Sequence, residues 1–459
     1  MEHDVRCPIR YRIFGLDLRA LAVARIAAGL VVMGDLAIRS RWLEAFYTAE
    51  GFCPRSAILS ARRDFLIPWL HLANDTLIYQ TLLLGLQFVF AAFLAFGYRT
   101  RLASVITWLG MMSLNARNTL VLNSGDTLLT AVLFWGLFLP WGRCWAWDSR
   151  TLPVTRDRVF SAATVGLTLQ VVMVYWFAAL HKLNPVWLDE GRALFYAFSL
   201  EHHATPWAGS LLGLGTSLKP LGWFVVLFEA ALPLVLLAPW RRVRLSGVLL
   251  ALAMHWTFGF FLEIGSFRWT PWVGLLALLP LGTNKGTKDA LKVDFCSCCL
   301  LSVSLLAFAV NLESLGKGSS LFLPGRLVQI SSLVSANQMW GVFEGKNLQE
   351  SGWFAFEIRA RDGRSFDFWT GKSFSRRKPN LVSAQYPTDR WRKFMMNLPS
   401  LPQGHPQRIR FARWILQEWN RRHPSRSATE VCFWQVSAPT RISGTGSFPV
   451  WHVMETVDL

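Results

Sequence analysis

Long uncharged stretches alternate with short basic segments along the first 315 residues. Residues 77–98 and 159–180 carry no charged side chain at all. A helix needs roughly 20 consecutive apolar residues to cross the hydrocarbon core of a bilayer. This pattern predicts nine membrane spans, at about 18–38, 77–97, 101–119, 125–141, 159–181, 221–240, 245–263, 267–283 and 294–312.

The basic residues predict how the spans are oriented. They concentrate before the first span and in every second connection, around residues 99–101, 143–158, 241–244 and 285–292. Because cytoplasmic loops carry the excess of Lys and Arg, the N-terminus is expected in the cytoplasm. Nine crossings then place the C-terminal part outside. The first span contains Arg25 and Asp35, and charges at such depth usually face other helices and find partners there.

Two outer segments predict short helices that lie in the membrane interface. The stretch FLIPWLHLA, residues 65–73, is amphipathic and too short to span the bilayer. Residues 184–220, with Pro185 and Trp187 near their start, have the same character. These segments predict an outer rim of short helices on the bundle.

The periodicity changes beyond residue 322. Apolar and polar residues alternate on both sides of Asp362 and Gly363, which predicts a hairpin. Residues 389–398 and 405–423 read as amphipathic helices, and residues 428–438 as a strand. The fold class is therefore mainly α, a polytopic membrane helix bundle of about nine spans (residues 1–315) with a small C-terminal α+β extracytoplasmic domain (residues 322–459).

Composition agrees with a membrane protein and limits the partners. Hydrophobic residues make up 52% of the chain, which excludes a single soluble core, and the formal net charge is +18. No nucleic-acid motif accompanies that charge, so membrane lipids are the expected partners. The seven cysteines lack zinc-ligand spacing, and no metal is expected. Cys53 and Cys432 both fall outside, where the sequence leaves open whether they pair.

Lys182, at the outer end of the span 159–181, is the sharpest candidate for chemistry. Burial of a lysine amine disfavours its charged form, and a neutral amine can act as a base. The competing interpretation is a lysine that extends to the headgroups, as lysines at span ends usually do. His181 precedes it and can relay a proton. Adjacent helical residues point about 100° apart, so both face one pocket only if the helix ends there, as Pro185 suggests.

Three further features carry candidate polar groups. Residues 115–126, NARNTLVLNSGD, are dense in amides at the outer ends of two spans and can bind a substrate or cap the next helix. The candidates there are Asn115, Arg117, Asn118, Asn123 and Asp126. Glu229, His255 and Glu263 lie in or near later spans, where ionisable groups are functional candidates. A plainer reading pairs Glu229 with His255 inside the bundle.

Five ordered stretches together resemble the HTTM (horizontally transferred transmembrane) domain, the membrane family that includes vitamin K-dependent gamma-carboxylase. They are DLRALAVARIAAGLVVMGDLAIRS, LEAFYTAEGFCPR, NARNTLVLNSGDTLLTAVLFWGLFLPWG, YWFAALHKLNPVWLDEGRALFYAF and MHWTFGFFLEIGSFRWTPWVGLLALLP. The resemblance covers about residues 15–283. The segments NQMWGVFEG and GWFAFEIRARDGR look like the outer part that follows this domain in bacterial members.

The resemblance implies an outward-facing active site with Lys182 as base. In the carboxylase a lysine, a leucine and a following tryptophan form a pattern that KLNPVW matches, so the resemblance also brings in Trp187. There the amine deprotonates reduced vitamin K, oxygen adds, and the base so formed removes a glutamate γ-proton so that carbon dioxide attaches.

The implied cofactor is vitamin K hydroquinone or another reduced quinone, and the implied partner is a secreted protein substrate. His255 matches a histidine in a late span of the family. His181 stands where the carboxylase has a second lysine. Two alternatives remain open: a lipid- or quinone-binding membrane protein without turnover, and a membrane-bound chaperone-like factor for a secreted client.

Overall fold

A computed structural model describes residues 8–61, 69–151, 157–282, 294–316, 323–345, 350–439 and 449–458. Among these residues, six helices are long and apolar enough to cross a membrane. They are Leu18–Ser40, Leu77–Phe96, Ala162–His181, Leu218–Leu236, Arg241–Phe261 and Phe295–Leu315. Each coincides with a predicted span, so the membrane character of the chain is confirmed.

The other three predicted spans are helical but differ from simple crossings. Thr100–Arg117 is 18 residues long and carries more polar side chains. Ser124–Gly136 has 13 residues and Thr270–Ala277 has eight, too few to cross a bilayer alone. Residues in these two short helices are largely buried inside the bundle. The expected nine spans are thus six span-length apolar helices and three further helices packed with them.

The helix Ala162–His181 occupies the centre of the bundle. It is the most enclosed of the six span-length helices, with 72% of its apolar window buried. It packs against Leu218–Leu236 and Phe295–Leu315. The end of this helix at His181 therefore lies among other helices, and so do the residues that directly follow it.

The first span-length helix, Leu18–Ser40, packs closely against the second, Leu77–Phe96. A side chain on Gly29 would lie 2.7 Å from the backbone oxygen of Ala91 and from the Ala95 Cβ. Small residues at such a point let two membrane helices approach each other. Arg25, on the same helix, does not pair with Asp35; its guanidinium donates to backbone carbonyls of Trp141, Ala95 and Trp145.

Short helices lie between and beside the longer ones. They are Ile9–Phe14, Leu43–Tyr47, Arg55–Ala61, Leu70–Ala73, Pro185–Leu188, Ala193–Ser199 and Ala208–Leu212. Residues 184–220 are thus helical in pieces, as expected. Of the predicted interfacial helix 65–73, only Leu70–Ala73 and Trp69 lie within the described residues. Two short strands, Leu16–Asp17 and Arg158–Val159, pair on the other side.

The part of the chain after residue 322, which we call the outer domain after its predicted side of the membrane, contains a four-stranded antiparallel sheet. The strands are Glu350–Ala360, Ser365–Asp367, Ala428–Pro439 and Val450–Asp458, and Glu350–Ala360 and Ala428–Pro439 are the two central strands. The predicted hairpin is confirmed, with Gly363 at φ +80° in its turn. The last strand was not predicted from the sequence.

Helices cover the sheet and close its core. Asp389–Asn397 and Pro406–Arg422 match the two amphipathic segments, and the second packs on the strands Ala428–Pro439 and Val450–Asp458. Phe356, Phe411 and Phe433 are fully buried between them, with the rings of Phe356 and Phe433 stacked 4.8 Å apart. A further helix, Gly325–Leu333, precedes the first strand of the sheet.

Cys53 and Cys432 are free thiols and form no bridge. Cys53 is buried and accepts a hydrogen bond from the Gln407 amide at 3.1 Å, while Cys432 lies on a central strand beside Thr456. Burial raises the pKa of the Cys53 thiol to about 11, which makes it a poor nucleophile. The two cysteines serve packing, in different parts of the fold.

Candidate functional site

Lys182 lies where its helix stops. The helix starts with a capping box, in which the Ser161 side chain and Thr164 bond each other's backbone N–H groups. It ends at His181, and Asn184 then caps the short helix that begins at Pro185. The chain turns back into the protein here, so the side chain of Lys182 remains inside the bundle.

The Lys182 ammonium group is buried and paired. Its Nζ lies 2.7 Å from the Glu229 carboxylate, and the two side chains are only 6% and 5% exposed. The Nζ also lies 5.5 Å from the centre of the Trp187 ring. Lys182 therefore does not extend to the headgroups. The structure gives it a buried acid as partner and an aromatic ring above it.

The pair holds its two groups in a medium of low dielectric. Removing one partner of a buried ion pair leaves an uncompensated charge and typically costs about 3–5 kcal/mol. Lys182 and Glu229 thus form one buried ion pair at the end of the central helix.

A second buried pair joins the central helix to the helix Arg241–Phe261. The Tyr175 hydroxyl and the Nε2 of His255 are 3.1 Å apart. The other nitrogen, Nδ1 of His255, is buried and has no hydrogen-bond partner among the described residues. The plainer reading, Glu229 paired with His255, is wrong, because Glu229 pairs with Lys182.

His181 points to a different part of the molecule. Its Nδ1 lies 2.9 Å from the Glu344 carboxylate, and its Nε2 lies 3.0 Å from the Ser314 hydroxyl. Next to it, the Trp187 indole donates to the backbone oxygen of Phe343 at 2.9 Å. His181 thus contacts residues 341–345, and Lys182 faces the bundle, as the angle between adjacent helical residues predicts.

The amide-rich segment 115–126 forms a separate cluster. Asp126 accepts from Arg39 at 2.7 Å, and the same guanidinium donates to Asn115 at 3.0 Å. Asn123 caps the helix Ser124–Gly136, with Asp126 completing a capping box. The capping role considered for Asp126 is confirmed.

The other two candidate residues of that segment, Arg117 and Asn118, bind the loop that follows the first span. Arg117 donates to the backbone oxygen of Tyr47 at 2.8 Å, and Asn118 donates to that of Phe46 at 3.1 Å. The structure thus divides the predicted site residues between two places. Lys182, Trp187 and His255 lie in the bundle, with His255 bonded to Tyr175 of the central helix, while residues 115–126 lie at the junction with the outer domain.

Sequence reasoning missed the two partners that complete these clusters. Glu229 was noticed as an intramembrane acid but not as the partner of Lys182. Arg390 was not noticed at all, although it contacts both Asp35 and Asp126. A basic residue at the start of an amphipathic helix looks like an ordinary solvated charge. The buried acid Asp35 was the one signal that a cation had to come from elsewhere.

No group of three or more His, Cys, Asp or Glu residues suited to a metal ion occurs in the part of the chain that the structure describes.

Comparison with known proteins assigns the chain. A model of the HTTM domain matches residues 15–281, more than half of the 459 residues. The chain belongs to the HTTM domain family. The matched range contains Lys182, Glu229, Tyr175 and His255, and it ends within two residues of the resemblance seen in the sequence. No curated protein and no solved structure matches the chain. The HTTM domain thus covers the bundle up to residue 281, and the helix Phe295–Leu315 and the outer domain follow it.

Proposed function

We propose that this HTTM protein is a quinol-dependent membrane enzyme in which the Lys182–Glu229 pair takes a proton from a lipid-soluble hydroquinone. The observation that supports it is the buried contact of 2.7 Å between Nζ and the carboxylate at the end of the central helix. An amine and an acid without access to water bind protons from partners that enter from the membrane. Such a partner has to be apolar and carry an acidic hydroxyl.

The residues around the pair suit an aromatic hydroquinone. Trp187 provides a ring beside Lys182, and Phe267 lies edge-on to His255 with 5.6 Å between ring centres. The unpartnered Nδ1 of His255 is a buried polar atom that a hydroxyl would satisfy. We propose that Lys182 and Glu229 hold one hydroxyl group, and that His255, oriented by Tyr175, holds the other.

The proton balance assigns a role to both members of the pair. The pair holds one proton, drawn either as ammonium and carboxylate or as amine and carboxylic acid. When the pair accepts a second proton, Lys182 becomes an ammonium and Glu229 a carboxylic acid, whichever of the two held the first proton. Lys182 is the base expected from the sequence, and Glu229 stores the proton. Trp187 and the bundle exclude water, so that the proton stays with the pair.

When bound, a hydroquinone would be oxidised by oxygen to an epoxide, and the base formed in that oxidation would remove a glutamate γ-proton so that carbon dioxide could attach. The outer domain and the membrane surface would receive a secreted protein substrate. The two alternatives make different predictions. A lipid- or quinone-binding protein holds the same ligand without turnover, and a chaperone-like factor binds its client without any quinol.

The experiment uses the purified full-length protein in lipid nanodiscs. Lipids extracted from it are searched for quinones by mass spectrometry, and reduced naphthoquinone is then added with labelled bicarbonate and a glutamate-rich peptide. Incorporation that depends on the quinol, and that Lys182→Ala and Glu229→Gln abolish, supports the proposal.

A matched control is Lys219→Ala. Lys219 also lies beside a tryptophan, 5.1 Å from the centre of the Trp223 ring, but its Nζ donates to a backbone oxygen at an exposed position. This variant should retain activity. If Lys182→Ala still binds quinone, and neither the parent protein nor any variant shows turnover, the result favours a quinone-binding role instead. Client cross-linking without quinol dependence would favour the chaperone role.

A further inference from the structure

Two connections of the chain are tied together at the end of the second span-length helix. That helix, Leu77–Phe96, ends at Gly97. Asp148, from a later connection, accepts hydrogen bonds from the backbone N–H groups of Arg99 and Thr100 at 2.9 and 2.7 Å. Its own backbone N–H donates to the oxygen of Gly97 at 3.0 Å. We call residues 96–102 and 145–150 together the interface platform.

The buried Arg25 of the first span holds the interface platform from the protein side. Its guanidinium donates to the backbone oxygens of Trp145 at 2.6 Å and of Ala95 at 3.3 Å. Trp145 has φ +47° and Arg99 has φ +44°, values that are uncommon for residues other than glycine. Trp145 is nevertheless 59% exposed. The fold thus holds this tryptophan outwards on a fixed backbone.

A row of aromatic rings runs along the second span to the interface platform. The ring centres of Phe90 and Phe93 are 5.6 Å apart, and Tyr98 follows at 5.0 Å from Phe93. The Trp147 ring lies 6.3 Å from that of Tyr98. The Arg150 guanidinium lies 3.6 Å from the centre of the Trp147 ring, which is a cation–π contact. The row therefore begins on an apolar span and ends at a positive charge.

The interface platform carries more positive than negative charge. Arg99, Arg101 and Arg150 are exposed, and none of the three forms an ion pair within the part of the chain that the structure describes. Both carboxylate oxygens of Asp148 accept backbone N–H groups. Three guanidinium groups thus stand against one carboxylate.

The chemistry of the interface platform matches an anionic phospholipid. Phe96 and Leu102, which are 73% and 45% exposed, offer apolar surface to acyl chains. Indole rings favour the headgroup level of a membrane. A guanidinium group binds a phosphate through two parallel N–H donors. A zwitterionic headgroup adds a cation of its own beside these arginines, whereas an anionic headgroup does not, so the charge favours the anionic lipid.

We propose that the interface platform binds one anionic glycerophospholipid, with its phosphate between Arg99 and Arg150 and an acyl chain along the row of rings. The two guanidinium groups flank neighbouring rings, at 5.8 Å from the centre of Tyr98 and 3.6 Å from that of Trp147. The sequence predicts these connections on the cytoplasmic side and Lys182 on the outer side. The lipid site is therefore independent of the proposed proton transfer.

The test is native mass spectrometry of the full-length protein, released from nanodiscs that contain equal amounts of phosphatidylglycerol and phosphatidylcholine. The parent protein should retain one phosphatidylglycerol in preference to phosphatidylcholine. Arg150→Gln should reduce this retention about five-fold, which corresponds to about 1 kcal/mol for one cation near the membrane surface. Arg99→Gln should have an effect of the same size.

Arg242→Gln is the matched control. Arg242 is an exposed arginine at the start of the helix Arg241–Phe261, on the same predicted side of the membrane and outside the interface platform. The substitution changes the net charge by the same amount as Arg150→Gln. It should retain phosphatidylglycerol like the parent protein. Unfolding temperatures of all three variants in phosphatidylcholine alone should equal that of the parent protein, because the exchanged side chains are exposed.

Three results would overturn the lipid site. The first is equal retention of the two lipids by the parent protein. The second is an equal loss in Arg242→Gln and Arg150→Gln, which would indicate attraction to surface charge in general. The third is binding of soluble glycerol 3-phosphate as tight as that of the lipid, which would make a free phosphate the ligand.

Discussion

Arg390 of the outer domain donates two hydrogen bonds to Asp126 of the membrane bundle, at 2.5 and 2.7 Å, although 264 residues separate them in the chain. The same guanidinium reaches Asp35 on the first span, and Arg39 completes the group by bonding both acids. Two cations and two anions are thus buried together. Burial opposes the charge of Arg390, yet Asp126 and Asp35 hold its pKa well above the ordinary value. We call these four residues the junction cluster.

Arg390→Ala should detach the outer domain from the bundle or loosen it strongly. The substitution leaves two buried carboxylates with a single arginine, and loss of one partner from a buried charged group costs about 3–5 kcal/mol. Limited proteolysis of the protein in detergent measures this as faster cleavage around the outer domain, together with a lower unfolding temperature.

Arg413→Ala provides the comparison, because Arg413 is an exposed arginine of the same domain. It should behave like the parent protein. If Arg390→Ala and Arg413→Ala show equal protease resistance and equal unfolding temperatures, the junction cluster does not hold the domains together.

Gly265→Ala should weaken the same junction from the bundle side. Gly265 has φ +60°, and a Cβ there would collide with the Asp389 carboxylate, which itself accepts a hydrogen bond from Asn123 at 2.6 Å. The left-handed backbone alone costs an alanine about 1–2 kcal/mol. Thermal unfolding should show a loss of this size or more.

Gly209→Ala tests whether any glycine change near the outer surface has this effect. A Cβ at Gly209 meets nothing within 4 Å, and the residue lies in the short helix Ala208–Leu212. Alanine favours a helix, so stability should be equal or slightly higher. A similar loss in both variants would contradict the assigned contact with Asp389.

Acidification should destabilise the contact between residues 201–204 and the outer domain. Burial, together with the nearby charge of Arg392, lowers the pKa of His202 to about 4 and that of His203 well below 6.5. Both histidines are neutral while this contact is formed, whereas in the undocked chain they bind protons below pH 6.5. Stability is therefore complete above pH 6.5 and falls as the pH drops towards 4, by about 3 kcal/mol for His202 alone.

Unfolding temperatures measured between pH 7.5 and 4 check this prediction. His202→Gln cannot titrate and keeps a polar contact for the Tyr386 hydroxyl, 2.8 Å away from the native ring. A double variant with His203→Gln should have a flatter profile than the parent protein over this range. Asp389, whose pKa is lowered by Arg392 and Arg390 against the effect of burial, contributes only at lower pH. Identical profiles would show that the histidines are not the titrating groups.

The sequence predicted what depends on local periodicity. Six apolar stretches became span-length helices, and Asp362 with Gly363 marked the hairpin because a tight turn needs a residue that tolerates positive φ. Pro185 correctly placed the end of the central helix, and hence Lys182 at a helix terminus. These features are fixed by neighbours within one or two turns of the chain.

The rest depended on contacts between distant residues. Glu229 is 47 positions from Lys182, and no periodicity indicates which buried acid meets which base. The predicted span 267–283 is apolar throughout most of its length, but the structure divides it into the 3-10 turn Gly265–Arg268, the helix Thr270–Ala277 and a non-helical end. The edge strand Val450–Asp458 was missed because Glu455 and Asp458 break the apolar pattern. Tertiary structure decided each of these.

Proton uptake by the Lys182–Glu229 pair tests the central claim most directly. Infrared difference spectra are recorded on the protein in nanodiscs before and after addition of a reduced naphthoquinone under nitrogen. The account predicts that a carboxylate band disappears and a protonated carboxyl band appears, with both changes absent in Glu229→Gln and Lys182→Ala and retained in Lys219→Ala. Spectra that show no carboxyl change in the parent protein, or the same change in Glu229→Gln, would contradict it.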